Sequence, residues 1–503
     1  MKRLFPNLGA FLWLAFFLAL VFSEWRLVLI SADGDPGWHW AQGNWTLEHH
    51  TVMRADEFSH TRPGAPVVGK EWLSQVIFAL AGNALGWNGL ILLAAAIIAT
   101  TLWLLHRQLL AEGNELLLST GFVLVAAFTA THHWLARPHI FTHLIALVFA
   151  WQLRSFQRDQ LTARQLCLRL VPLMAIWANL HGAFPTGFIL IGTYAVANLT
   201  RRSKLMPLLA LGGLCVAATF LTPYGWRLHE HILSFITTPY QAFFTNEWRS
   251  ADFHSIGMRG FAFELLLLGI LLVAIRPRLS LIDILLTGSW AFLGLSTVRN
   301  VPIFAYVVTP ILAEHFNAFL QTVRWERFRK LSTDITALQQ RTGGSLAVIA
   351  AIVAVIAVMC TGNPPSEPLP ERFPSAAVEF VFRDDDPITR VIIQKTVEFP
   401  RRENTHGEMF NEYEWGGYLM QVLPERKVFI DGRNDFYGEA FLREYTIADK
   451  LQPGWDDVLK KYRVGWTLLR PTHPMNAVLA LRTNEWHCAY RDGVAVIYTR
   501  DLR

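Results

Sequence analysis

The chain has 503 residues, 52% of them hydrophobic and only 17% charged, with a mean hydropathy of +0.28. Soluble domains carry about a quarter charged residues, so this balance argues against an ordinary soluble protein and for a membrane protein rich in interfacial Trp and Phe. The net charge of +5 would suit a polyanion, but its placement in alternate loops, described below, leaves nucleic acid without support; the four scattered cysteines (Cys167, Cys215, Cys360, Cys488) form no C-x-x-C pair and argue against a disulfide framework or a zinc site.

In chain order, the first apolar run covers residues 8–30. It is too long for a removed signal peptide, lacks a small-residue cleavage site, and reads as a first crossing. It ends on "SADGDPGWHW" (31–40), where Asp33 and Asp35 form D-x-D beside Trp38, His39 and Trp40, opening a long loop (31–70). Residues 71–85 read as an apolar helix lying at or dipping into the membrane surface. Ten further runs can cross about 30 Å of hydrocarbon, making eleven in all: 87–106, 116–131, 140–156, 168–180, 184–199, 205–221, 261–275, 279–295, 301–319 and 346–360.

The connecting loops alternate in charge. Lys2 and Arg3, Arg107, the set Arg154, Arg158, Arg164 and Arg169, then Arg201, Arg202 and Lys204, then Arg276 with Arg278, and finally residues 324–330 with Arg341 all fall on one side. The positive-inside rule makes that side cytoplasmic. Eleven crossings from a cytoplasmic N-terminus then put the C-terminal part outside, in a cell (inner) membrane. The outer side receives loop 31–70, "THHWLARPH" (131–139), "NLHG" (179–182), "TPYGWRLHEH" (222–231), "NEWRS" (246–250) and "VRN" (298–300).

A proline-rich stretch (361–374) marks the change from a transmembrane domain (1–362) to a soluble α/β domain (363–503). In the latter, 389–399, 426–432, 462–470 and 487–500 read as strands, the last a hairpin turning at Asp492-Gly493, and 438–450 and 454–462 as helices. The stretch 411–438 holds Trp415, Gly416, Gly417 and Tyr418, then Asp431-Gly432-Arg433. It reads either as a tight turn and a strand end or as a loop whose rings stack on a sugar or peptide.

Two carboxylates at an interface can serve as a general base or as oxygen ligands for a divalent cation, Mg²⁺ or Mn²⁺. D-G-D-P is equally a turn sequence, and the turn alone would lead if Asp33 and Asp35 stood in isolation. Their company on the outer side favours chemistry: His39, Arg137, His181, Arg227, Glu247, Arg249 and Arg299. Arginine grips phosphate bidentately, which suits a lipid-linked phosphate or diphosphate. For any single arginine the alternative is snorkelling at the headgroups, and for Arg249 that reading is at least as good. Arg137 and Arg299 sit at the tips of very short turns, with little freedom to reach away. His132 and His133 read as interfacial structure, Glu247-Trp248-Arg249 as a surface helix with an internal ion pair, and Glu264, costly in an apolar run, as a secondary candidate.

One crossing, an acidic motif opening a large first external loop, many helices and an external C-terminal domain together resemble the GT-C glycosyltransferases, integral membrane enzymes that use polyprenyl-phosphate sugar donors. "DPGWHWAQGNWTLEH" (35–49) is similar to the opening motif of oligosaccharyltransferase catalytic subunits, and "EYEWGGYLM" (412–420) to their acceptor motif, although its Asp is missing here. The chain also resembles a group of bacterial multi-pass proteins sharing "FSHT", "KEWL", "ARPHIF", "NLHG", "LTPYGWR" and "VFIDGR". The resemblance implies a sugar or glycan moved from a polyprenyl-phosphate(-diphosphate) carrier to a protein, lipid or polysaccharide acceptor. By position it implies Asp35 as base, with Asp33 its rival. Arg137 and Arg299 are the candidates for the carrier phosphate, helped by His181, and 72–85 for guiding the polyprenyl chain. His39, Arg227, Glu247, Trp415, Tyr418, Asp431 and Arg433 complete the substrate-binding candidates. A transporter or flippase of the same lipid would want mid-span charges and repeated halves, neither of which stands out; a non-catalytic assembly protein has no positive feature in its favour.

Overall fold

The computed structural model describes residues 6–238, 245–323, 326–341, 346–361, 367–385 and 406–500. Contacts divide the chain into two compact units: Met1–Arg26 with Ile91–Pro365, and Leu27–Leu90 with Ser366–Arg503.

The first unit is helical. Every run predicted to cross lies on a helix or, for the first, on two, Leu8–Phe22 and Trp25–Ser31, broken where Ser23 turns extended and its hydroxyl bonds the Ala19 carbonyl. Four helices are long and apolar enough to cross a membrane by themselves: Trp87–Ala111, Leu116–His133, Ile256–Ile275 and Val298–Leu320, among the described residues. Pro185–Ala197, Leu281–Ser296 and Leu346–Cys360 are apolar but shorter. Helix starts follow local chemistry: Thr162 with Gln165 and Ser280 with Asp283 form reciprocal capping boxes. Arg154, counted above among the loop charges, is instead buried in the last turn of His139–Gln157, where it pairs with Glu112, Asp283 and Glu314.

In the second unit, a four-stranded sheet runs in the order β1-β2-β4-β3, with β1 (Glu408–Asn411) parallel to β2 (Val464–Leu469), and β4 (Val496–Arg500) antiparallel to both β2 and β3 (Trp486–Arg491). The predicted hairpin is present: Asp492 turns it, its carboxylate accepting from the Val494 and Ala495 amides. The predicted helices appear as Asn434–Asp449 and Trp455–Lys461. The strand expected at 389–399 lies outside the described residues. The one expected at 426–432 is not a strand; this buried extended segment makes a single parallel bridge, Val428 to Ser59, because the first loop rather than a neighbouring strand lies along it.

That loop is no plain turn. Residues Asp35–His49 form a helix, opened by Gly34, with Asp35 and Pro36 in its first turn, and closed by His50 in the left-handed region at φ 52°. It packs against Trp72–Leu85 through bonds from Gln75 to Gln42 (2.8 Å), Trp40 to Asn83 (2.9 Å) and Asn83 to Asn44 (2.8 Å). Its other side meets the helix Gly416–Val422, so close that a Cβ on Gly37 would overlap the Gly417 carbonyl. The glycines of "DGDPGW" and "WGGY" are thus the two halves of one backbone contact.

Residues 54–70 in turn bond to the C-terminal part of the same unit. Phe58 O accepts from Val428 N (3.0 Å), His60 Nε2 meets Met409 O (2.9 Å), and Thr61 Oγ1 donates to Phe429 O (2.8 Å). Lys70 pairs with Asp435.

Candidate functional site

In the first unit, short turns between helices bring several predicted residues together. Arg137, just before the helix His139–Gln157, donates from Nη1 to Glu247 Oε1 at 2.5 Å. His133 Nε2 lies 3.5 Å from the same oxygen. Glu247 sits on the single turn Asn246–Trp248, and the next residue's carbonyl, on Arg249, accepts from Val298 N (3.0 Å). This pairing ties the Glu247 turn to the turn Val298–Asn300 that carries Arg299, whose guanidinium lies 5.4 Å over the Trp248 ring. Burial alone would push the Glu247 carboxyl up, but Arg137, His133 and Arg299 outweigh it and hold it well below the usual carboxylate range. Glu247 therefore pairs with Arg137 and His133, a longer-range partnership than the internal ion pair expected from "EWR".

Arg299 also reaches His181, its Nη2 3.5 Å from His181 Nε2. A guanidinium only donates, so Nε2 is the acceptor and the imidazole proton sits on Nδ1, facing Thr142 Oγ1 at 2.8 Å. Trp177 Nε1 donates to that hydroxyl as well (2.8 Å). His181 is thus held in one tautomer by a buried Thr–Trp pair, with its acceptor nitrogen toward the arginine. Arg137, His181, Glu247 and Arg299 accordingly form one cluster at the ends of four helices. Arg227, exposed on the first turn of Trp226–Thr237, takes no part in these bonds.

The sequence had set aside His133, and Thr142 gave no signal. His133, His139 and His143 form a buried cluster of tilted rings with centres 4.1 to 5.8 Å apart. The density of His and Arg in "THHWLARPH" was the only hint. Glu264 is buried and accepts from Thr309 Oγ1 (3.0 Å).

In the second unit, Asp33 Oδ1 accepts from the Asp35 backbone N–H at 3.1 Å, so Asp33 serves the turn. The Asp35 carboxylate, half-buried, lies so close to Gly432 that a Cβ there would collide with it. His39 is buried between the paired helices, stacked on Phe78 and 3.9 Å from Glu71. Trp415 and Tyr418 belong to the hydrophobic core rather than to a sugar-stacking face. Trp415 is 0% exposed and donates to Arg372 O (2.7 Å), and Tyr418 packs on Phe373 and Trp87 with its phenol pushed up to about 12 by burial. The glycines that let the helix Asp35–His49 approach are what seal these rings in.

Asp431 and Arg433 are likewise buried, in a network with the first loop. Arg433 donates from Nε and Nη2 to Asp431 (2.8 and 2.7 Å) and from Nη1 to Asp56 (2.7 Å). Tyr437 donates to Asp431 (2.8 Å), and Ser59 donates to Asp56 from both N (2.9 Å) and Oγ (2.7 Å). Every hydrogen-bonding side of Arg433 that these contacts use faces protein, so it acts as a staple.

Among the described residues, no group of three or more His, Cys, Asp or Glu could hold a metal ion.

No family model matches the chain, and no curated protein matches it in sequence. Solved structures do resemble it. The apo oligosaccharyltransferase of Archaeoglobus fulgidus aligns over 98% of this chain and 74% of its own, with TM-score 0.56 and 11% identity. AglB of the same organism, in complex with an inhibitory peptide and a dolichol-phosphate, aligns over the same shares with TM-score 0.54 and 10% identity. ArnT from Cupriavidus metallidurans in the apo state aligns over 97% of both chains, with TM-score 0.50 and 13% identity. Likeness at such identities is likeness of fold alone: the chain shares the fold of these oligosaccharyltransferase and ArnT structures.

Proposed function

We propose that the protein is a membrane glycosyltransferase that moves a sugar or glycan from a polyprenyl-phosphate carrier to an acceptor on the extracytoplasmic face. The observation that supports this best is that Arg137 holds Glu247 on the turn tied to the one bearing Arg299, while Arg299 reaches His181, in a chain that shares the fold of the oligosaccharyltransferase and ArnT structures. Two guanidinium groups, one of them positioned by the His181 imidazole, provide charge and directional donors for a phosphate. The eleven-crossing topology, the cytoplasmic N-terminus and the external C-terminal domain (363–503) belong to the same proposal, and rest on loop charge.

In the proposed step the acceptor nucleophile bonds the anomeric carbon and gives its proton to Asp35, or is oriented by it. The bond from that carbon to the phosphate oxygen breaks, and its electron pair leaves on the polyprenyl phosphate, held by Arg137 and Arg299.

The test compares glycan profiles in cells carrying wild-type or Asp35→Asn protein at matched levels. Loss of the transferred glycan, by about a hundredfold or more for a general base, is expected, with unchanged thermal stability. A normal profile sinks the assignment.

A further inference from the structure

The basic segment between Val301–Leu320 and Leu346–Cys360 carries structure that glycosyl transfer does not call for: it forms a helix, Glu326–Arg341. Residues 321–345 hold five Lys or Arg (Arg324, Arg327, Arg329, Lys330 and Arg341) against Glu326 and Asp334. One bond sets the height of this helix: the buried Ser332 donates from Oγ to Glu115 Oε2 at 2.8 Å. Glu115 directly precedes the helix Leu116–Ala130, part of the stretch to His133 that is long and apolar enough to cross a membrane. The helix Glu326–Arg341 therefore lies level with the point where that crossing begins. The same bond sets its rotation. With Ser332 turned to Glu115, Leu331 and Leu338, two turns apart and so on one edge, stand 54% and 60% exposed. Arg327, one turn before Leu331, and Lys330, next to it on the polar flank, are exposed as well.

We propose that Glu326–Arg341 is an amphipathic helix that binds the cytoplasmic leaflet through anionic lipid headgroups, with Leu331 and Leu338 entering the headgroup–acyl boundary and Arg327 and Lys330 meeting the phosphates. The proposal rests on the cytoplasmic placement argued above from loop charge and is independent of the transfer step. Leucines on one edge with cations beside them match an interface that is apolar within and negatively charged at its surface. Anionic headgroups attract each nearby Lys or Arg strongly enough to shift binding about fivefold. The bilayer is also the occupant already at hand: the helix is held at the boundary of one crossing, and the chain runs on into a further apolar helix, Leu346–Cys360. Orientation by loop charge needs the cations alone; it requires neither a helix nor two leucines in register on its open edge.

The test uses the purified full chain in nanodiscs of phosphatidylcholine, with and without phosphatidylglycerol as an anionic component, and follows hydrogen exchange of the amides in 326–341. Exchange is expected to be about tenfold slower in the anionic discs, with the difference lost at about 1 M salt. The variant Leu331→Glu/Leu338→Glu is expected to exchange fast in both. Equal exchange of wild type in the two discs overturns the proposal and leaves the face to a protein partner or to water. A double variant that keeps the wild-type difference overturns the role of the leucines. The wild-type comparison decides the matter even where the variant does not fold. The leaflet is checked separately by labelling Lys330 with a membrane-impermeant amine reagent and locating it by peptide mass. Labelling in inside-out vesicles and not in intact cells is expected; labelling from outside the cell overturns the cytoplasmic placement and the proposal with it.

Discussion

Replacing Arg433 with Met removes the cation of the buried network while keeping much of its volume. Three guanidinium bonds of 2.7 to 2.8 Å disappear, and two carboxylates, Asp431 at 0% and Asp56 at 1% exposure, are left to face each other's charge. Asp431 keeps the Tyr437 hydroxyl and Asp56 keeps Ser59, but neither partner is charged. In the wild type, burial opposes the Arg433 charge, yet Asp431 and Asp56 outweigh it and raise its pKa well above the ordinary value, so the cation is strongly favoured there. Breaking a buried ion pair from one side costs about 3–5 kcal/mol, a large share of the roughly 5–15 kcal/mol that holds a domain folded. For a unit of this size that corresponds to a fall in Tm of about 10 °C. Thermal unfolding of the detergent-solubilised full chain measures it, and the double variant Arg433→Met/Asp431→Asn should recover part of the loss because one stranded charge is gone. A variant that melts within about 2 °C of wild type and loses only transferase activity would refute the staple and return Arg433 to the substrate site.

Two further predictions concern the same unit. Burial holds His60 below its ordinary value of 6.5, against the pull of Met409 O and Glu408 and with help from Lys427. The unfolded chain then takes up a proton near pH 6.5 that the folded chain refuses, so this contribution is intact above pH 6.5 and is lost as pH falls below it; His60→Gln should flatten the stability slope there, and an unchanged slope counts against the assignment. Gly37→Ala would ordinarily stabilise a helix by up to about 1 kcal/mol, but here its Cβ meets the Gly417 carbonyl, backbone that cannot step aside. A loss of about 1–3 kcal/mol is expected, and a gain in unfolding experiments would show that the two glycine motifs do not meet as described.

The apolar runs, the loop charges and the turn chemistry were legible because each is local. Apolar runs of membrane length read directly as helices, T-x-x-Q and S-x-x-D start helices at Thr162 and Ser280, and Asp492-Gly493 turns the hairpin. Arg137 and Arg299 stood out because short turns leave them nowhere else to go. What periodicity and composition could not supply was partnership across distance. Nothing near Glu247 in sequence points to Arg137, 110 residues away, and nothing near Asp56 points to Arg433, 377 residues away. The same limit hid the burial of Trp415, Tyr418, Asp431 and Arg433. Aromatic rings, Asp and Arg beside glycines look alike whether they await a ligand or bury one another, and burial belongs to the whole chain. The helix at Asp35–His49 was hidden for a related reason: its sequence begins as a turn, and it is stabilised by packing on Trp72–Leu85 and Gly416–Val422. The sequence by itself determined which segments are apolar, how their ends are charged and which side chains could do chemistry. Only the tertiary structure decided which of those side chains meet, because ion pairs and close glycine contacts form between residues that the chain keeps far apart until it folds.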